Sequence, residues 1–139
     1  MKKIVLVGGC FDVLHFGHIR FLEQAKQLGD SLVVLLESDE KVRSMKGDKR
    51  PIHTQEQRKA MLNALDCIDD VMLLPAVTTD AYYIELINKI KPSVIAITEG
   101  DPILGKKQTQ ADAIGARLVV IPKIHTPSTS QLAKLLELE

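Results

Sequence analysis

The stretch Gly8-Gly9-Cys10-Phe11-Asp12-Val13-Leu14-His15-Phe16-Gly17-His18 gathers residues that can do chemistry into one short run. An apolar segment, Ile4 to Val7, precedes it and an amphipathic segment follows, so it reads as a strand-to-helix turn. Such a turn collects backbone N–H groups beside the positive end of the helix dipole. His15 and His18, three residues apart, share one face of the first helical turn. Imidazole N–H groups donate to phosphate oxygens and steady charge that builds at phosphorus. The chemistry indicated is the grip of a polyphosphate while one phosphorus is attacked.

Other readings of the same residues stay open on sequence grounds. Two histidines near a helix start can simply cap it or face solvent. His15, His18, Asp12 and Cys10 are all capable metal ligands, although their spacing fits no common closed zinc site. Two better-known phosphate signatures are missing: Gly8-Gly9 does not extend to GxGxxG, and no GxxxxGK[ST] occurs.

The elements that would position this turn are short apolar runs alternating with helical patterns. Ile4 to Val7, Leu32 to Leu36, Val71 to Leu74, Val94 to Ile97 and Leu118 to Ile121 are continuous apolar runs, as strands buried on both faces require. Phe21, Leu22, Ala25 and Leu28 form a helical stripe ending at Gly29, a natural C-cap. Thr54 opens a second helix with Gln57 at capping-box spacing and Met61, Leu62 and Leu65 inward. Ile84, Ile87 and Ile90 line a third, stopped by Pro92, and Leu132, Leu135 and Leu136 line a last one. The stretches Arg43 to Pro51 and Glu99 to Gln110 read as mobile loops. The alternation predicts an α/β class, a Rossmann-like domain with about five parallel strands and helices on both faces. Ligands of such sheets sit at the carboxyl ends of strands, where strand order reverses.

With 139 residues, a hydrophobic fraction of 45% and formal net charge of zero, the chain suits a single domain, residues 1–139, with an ordinary soluble core. Zero net charge and 4% aromatics speak against nucleic acid as a partner. Cys10 and Cys67 lack CxxC spacing and read as reduced thiols of a cytoplasmic protein. The apolar run before Gly8 is too short for a leader or a spanning helix, so no membrane insertion is expected.

The run GGCFDVLHFGH resembles the signature of the cytidylyltransferase-like nucleotidyltransferases, in which Gly-x-Phe-Asp leads into His-x-Gly-His. The resemblance continues through most of the chain. Arg50 to Arg58 is similar to the family's segment before its third helix, Leu65 to Val71 to the strand that follows, and Ser128-Thr129-Ser130 to its closing motif. It implies attack of a substrate phosphate on the α-phosphorus of a nucleoside triphosphate, with pyrophosphate leaving and Mg²⁺ assisting, bound mainly through the triphosphate. By that resemblance His15, His18 and Lys46 are the catalytic candidates. Gly9, Cys10, Phe11, Asp12, Arg58, Glu99, Gly100, Asp101, Lys123, Ser128, Thr129 and Ser130 are the nucleotide- or phosphate-binding candidates, no residue being assigned to a metal. A homodimer is also implied. Each has a plainer reading: Lys46 as a solvated loop charge, Arg58 as a helix-face ion pair, Ser128 and Asp12 as helix caps, Cys10 as packing.

Lys46-Gly47-Asp48-Lys49-Arg50-Pro51 is more like the adenylyltransferase domain of bifunctional heptose-phosphate enzymes, which activate a sugar 1-phosphate with ATP for lipopolysaccharide assembly. Their Gly-Gly-Asp-Tyr element is only partly kept, as Glu99-Gly100-Asp101-Pro102. Glycerol-phosphate cytidylyltransferases tend to have a Lys where Gln131 stands and an Arg where Lys123 stands. The expected activity is therefore sugar-phosphate adenylyl transfer. Glycerol-3-phosphate cytidylyl transfer from CTP is the alternative, with an FAD-synthase-like activity more distant and a non-catalytic nucleotide sensor the reading from outside catalysis.

Overall fold

A computed structural model describes residues 2–124 and residue 134. The elements run β1 (Ile4–Gly9), α1 (Phe16–Lys26), β2 (Ser31–Leu36), α2 (Asp39–Lys46), α3 (Gln55–Asn63), β3 (Asp70–Leu73), α4 (Asp80–Ile90), β4 (Val94–Thr98), α5 (Leu104–Ile114) and β5 (Arg117–Ile121). All five strands pair in parallel in the order β3-β2-β1-β4-β5. This is the α/β, Rossmann-like sheet that the alternation predicts, with every expected strand found.

The sheet is apolar on both sides because both are covered. Val5, Val7, Leu32, Val34 and Leu36 pack with Leu22 and Ala25 of α1 and Leu62 of α3. Leu6, Val33, Leu35 and Ile95 pack on the opposite face with Ile87 of α4 and Ala111 of α5. A strand buried on both faces has no polar side to alternate, which is why these runs read as continuous.

One detail of register creates the site. β1 pairs with β2 along its whole length, from Ile4↔Ser31 to Gly9↔Leu36. On its other side the ladder with β4 covers only Val5↔Val94 and Leu6↔Ile95. Val7 to Gly9 and Ala96 to Thr98 therefore lack a common ladder, and a crevice opens between the carboxyl ends of β1 and β4. Strand order reverses at this point, because β1 leads to β2 on one side and β4 to β5 on the other.

Four expectations change. Gly29 is not the cap of α1, whose C-cap is Gln27; a Cβ on Gly29 would lie 2.7 Å from the Lys3 carbonyl oxygen and 2.8 Å from Val5 Cγ2, so close approach to β1 fixes it as glycine. Ile84 is exposed, leaving Ile87 as the buried anchor of α4. Part of the stretch Arg43 to Pro51 belongs to α2, and most of Glu99 to Gln110 lies in or beside α5. Each of those helices buries a single residue, Val42 or Ala111, so neither carries an apolar stripe in sequence. The last helical pattern, Leu132 to Leu136, lies outside the described residues.

Candidate active site

A cavity of about 360 Å³ occupies the crevice between β1 and β4. Of the site residues expected from sequence, it brings together Gly9, Cys10, Phe11, Asp12, His15, His18, Lys46, Asp101 and Lys123. Lys46 arrives from the last turn of α2 and Lys123 from beyond β5, so two cations flank the imidazoles. Glu99 and Gly100 lie in the turn after β4 but do not line it. Glu99 instead ties that turn to β5, its Oε1 accepting from Lys123 N at 3.3 Å. Ser128, Thr129 and Ser130 fall outside the described residues.

The two histidines form a reciprocal cap. Gly17 N donates to His15 Nδ1 at 3.1 Å, and His15 N donates to His18 Nδ1 at 3.3 Å. The rings stack with centroids 3.9 Å apart. Because each Nδ1 accepts a backbone N–H, the neutral ring must carry its proton on Nε2. Burial, helped by His15 and Lys46, pushes His18 down to about 4, and burial lowers His15 as well. Capping and phosphate chemistry are thus not competing readings: one nitrogen of each ring holds the helix, and the other is a neutral N–H donor for the cavity.

The loop that delivers these rings is conformationally unusual. Phe11 and Val13 adopt φ of 48° and 61°, left-handed values that are a genuine outlier for a β-branched residue. Phe11 turns its ring edge toward His18, centroids 5.5 Å apart. A Cβ on Gly9 would lie 2.9 Å from that ring, so a glycine at the end of β1 lets Phe11 back the imidazole. Such strain persists where surroundings over-determine it, and it clusters at functional sites.

Asp12 supplies much of that determination. Its fully buried carboxylate accepts from Arg50 Nε at 2.7 Å, Ile52 N at 2.8 Å and His53 N at 3.0 Å. Burial alone would raise this carboxyl, but Arg50 and the two backbone N–H groups hold it below its ordinary value. Asp12 therefore stitches the histidine loop to the segment before α3, and the cap of α1 is His15 instead.

Arg58 differs from the expectation of a phosphate contact. It is 0% exposed. Its Nε donates to the His53 carbonyl, Nη1 to the carbonyls of Cys10 at 2.8 Å and Glu37 at 2.9 Å, and Nη2 to Asp39 Oδ1 at 2.7 Å. A guanidinium spread over four acceptors inside the protein is a clamp on the carboxyl ends of β1 and β2. Cys10 is not a thiolate nucleophile either, because burial, with Glu37, pushes its thiol up.

Sequence reasoning missed a second cavity, of about 530 Å³, on the α4–α5 face. Its floor is apolar, with Leu6, Leu35 and Ile95 from the sheet, and its rim carries Glu37, Tyr83 and Lys107. Gly8, Gly9, Cys10, Met45, Asp101 and Lys107 line both cavities, so the two meet at the end of β1. Lys107 Nζ lies 3.8 Å from Asp101 Oδ2 in largely buried surroundings that push its amine down, opposed by Asp101 and Glu37. Only the fold shows its importance, since Lys106-Lys107 reads in sequence as one more charged pair.

Among the described residues no group of three or more His, Cys, Asp or Glu side chains is placed to hold a metal ion. The hydrogen-bond donors lining the first cavity include imidazole N–H and ammonium groups, which suit phosphate oxygens, and the Asp101 carboxylate lines it as well. No helix among the described residues is long and apolar enough to cross a membrane.

Comparison with known proteins agrees with this geometry. The bifunctional protein HldE of Trichlorobacter lovleyi is 38% identical over 141 residues, covering 98% of this chain and 27% of that protein. HldE of Campylobacter fetus subsp. fetus is 43% identical over 106 residues, 76% of this chain and 22% of the relative. The chain thus spans about a quarter of the length of the curated relatives it matches. Among solved structures, the lipopolysaccharide core biosynthesis protein of Thermoplasma volcanium superposes with a TM-score of 0.71 at 25% identity, over 89% of this chain and 98% of that one. Pantoate-beta-alanine ligase of Francisella tularensis, solved with an ATP form and beta-alanine, shares the fold alone, with a TM-score of 0.68 at 16% identity over 96% of this chain and 65% of the other. Residues 6–127 match the cytidylyltransferase-like family, and with the cavity, the imidazole pair and these relatives in agreement, the chain belongs to that family of nucleotidyltransferases.

Proposed function

We propose that this chain transfers an adenylyl group from ATP to a sugar 1-phosphate, as in the activation of a heptose 1-phosphate. A phosphate oxygen of the acceptor attacks the α-phosphorus in line. The bond from that phosphorus to the α,β-bridging oxygen breaks, and pyrophosphate leaves with the electron pair. No enzyme nucleophile is required, so catalysis rests on positioning and charge neutralisation. The observation that carries the reading is the convergence of two neutral Nε2–H donors and Lys46 in a crevice that joins a second cavity at Gly8, Gly9 and Cys10. The triphosphate lies in the first cavity, with Lys46 and Lys123 against its charge, and the acceptor enters from the second. Neutral donors suit this task, since they strengthen as charge grows on the equatorial oxygens without repelling the flanking lysines.

Mg²⁺, which neutralises triphosphate charge when bound, comes with the nucleotide and is held mainly through its phosphates. Ser128, Thr129 and Ser130 add hydroxyl and backbone donors for the outer phosphates. Residues 1–139 form one nucleotidyltransferase domain, cytoplasmic and homodimeric; light scattering on a sizing column reads the last point.

The test is pyrophosphate release over a matrix of ATP and CTP against sugar 1-phosphates and glycerol 3-phosphate. Release with ATP and a sugar 1-phosphate is expected. Release confined to CTP with glycerol 3-phosphate replaces this reading with the cytidylyl one. Tight nucleotide binding without release in any combination makes the protein a sensor.

A further inference from the structure

The second cavity contains a carboxylate that the transfer chemistry does not use. Glu37 follows directly on β2, and its backbone is held at both ends: its N–H donates to the Gly9 carbonyl at 3.0 Å and its C=O accepts from Arg58 at 2.9 Å. Its side chain is fixed as well, Oε1 accepting from Tyr83 Oη on α4 at 2.9 Å. Thr78 Oγ1 donates in turn to Tyr83 Oη at 3.3 Å. The half-buried tyrosine is pushed up to about 12 by burial and by Glu37, so it stays a hydroxyl donor. Among the described residues, Oε2 of Glu37 receives no hydrogen bond.

This carboxylate oxygen, without a hydrogen-bond partner among the described residues, belongs to a side chain that lines a cavity together with the apolar Leu35 and Ile95. A rigidly aimed acceptor of this kind is satisfied by hydroxyl groups. Lys107 supplies the opposite charge across the same cavity, at its junction with the nucleotide crevice, close to Gly8. The cavity thus offers an ammonium group for a phosphate and a carboxylate oxygen for hydroxyl groups.

Resting on the proposed adenylyl transfer, we propose that Glu37 reads hydroxyl groups of a polyhydroxylated acceptor while Lys107 draws its phosphate to the junction. Tyr83 is the positioning residue that aims Glu37. The acceptor class is then a phosphomonoester whose carbon skeleton carries free hydroxyls, with the chain of discrimination running through a single carboxylate oxygen.

The experiment takes the sugar 1-phosphate that gives most pyrophosphate with the wild-type chain, together with its monodeoxy analogues. Glu37→Gln keeps the shape and halves the accepting capacity. Its acceptor KM should rise about tenfold, the worth of a hydrogen bond to a charged group, with the triphosphate KM unmoved. One deoxy analogue should lose a similar factor with the wild type and little more with the variant. Tyr83→Phe should raise acceptor KM by about threefold, and Glu37→Gln/Tyr83→Phe should be no worse than Glu37→Gln alone, because both act through one group. Lys107→Met should lower kcat/KM for the acceptor at least as much as Glu37→Gln. An acceptor KM unchanged in Glu37→Gln, full additivity in the double variant, or an equal rise in triphosphate KM overturns the assignment. If no combination releases pyrophosphate with the wild type, the transferase reading itself has failed; if release is normal and only these shifts are missing, the hydroxyl-reading role alone is lost.

Discussion

Replacing Asp12 by Asn separates a structural carboxylate from a ligand-binding one. The wild-type oxygens take three donors, Arg50 Nε and the N–H groups of Ile52 and His53, with both side chains of the ion pair fully buried. An amide oxygen accepts from one side only, so its NH₂ must face an N–H donor, and the charge beside Arg50 is gone. Breaking a buried pair in this way costs about 3–5 kcal/mol. For a chain of this size that corresponds to a fall in Tm of roughly 10 °C or more. Thermal and urea melts at pH 7 read the loss directly, beside pyrophosphate release below the melting range. Linkage gives a second readout. The folded carboxyl is held below its ordinary 3.8, so its stabilisation is present above that pH and is lost as pH falls through the folded value. Asp12→Asn should therefore weaken the acid limb of the stability profile. A variant that melts with the wild type while its turnover collapses would refute the argument and return Asp12 to a ligand or a metal.

Four further outcomes follow from the same geometry. His18→Ala should reduce kcat by two orders of magnitude or more with a Tm change of only a few degrees, measured by steady-state turnover and calorimetry; one cap bond of about 1 kcal/mol is what the fold loses. Because His18 titrates near 4 when folded and 6.5 is its ordinary value, unfolding takes up a proton between those limits, and stability falls by roughly 3 kcal/mol as pH drops from 6.5 to 4; His18→Gln should lack that component in urea melts across the range. Arg58→Lys should destabilise by about 3 kcal/mol or more, since a single ammonium cannot span four acceptors, and an unchanged melt with raised nucleotide KM would restore the phosphate contact. Gly29→Ala should cost about 1–3 kcal/mol through contact with the Lys3 carbonyl, leaving acceptor and triphosphate KM as they are.

The sheet was legible because burial on both faces writes itself into sequence as uninterrupted apolar runs, and all five appear as strands. The capping box at Thr54 was legible for a similar reason: Thr54 and Gln57 satisfy each other locally, whatever the rest of the chain does. The helices α2 and α5 were not, since each packs through one small contact and carries charge elsewhere. Within the site, the histidine turn could be read from spacing, but the roles of Asp12 and Arg58 could not. A motif shows that a charged residue is needed near phosphate; it does not show whether the charge faces the ligand or holds the wall behind it. Glu37, Tyr83 and Lys107 come from the ends of β2, α4 and α5 and meet only in the folded chain.

The arrangement as a whole divides labour by burial. Charges that build the pocket are tied up within the protein: Asp12 pairs with Arg50, both side chains fully buried, and the buried Arg58 pairs with a partly exposed Asp39. The groups lining the cavity include the imidazoles, the ammonium ends of Lys46, Lys107 and Lys123, and the Asp101 carboxylate. The buried Asp12–Arg50 pair and the buried Arg58 guanidinium hold the backbone around the rings at set positions before any ligand arrives, which is the condition under which electrostatic stabilisation of a transition state costs no reorganisation. The left-handed backbone at Phe11 and Val13 fits the same logic. A relaxed loop would release the strain and also release His18 from the ring of Phe11; Asp12, with its three donors, fastens the loop chiefly, and the imidazole cap adds a smaller hold on its other side.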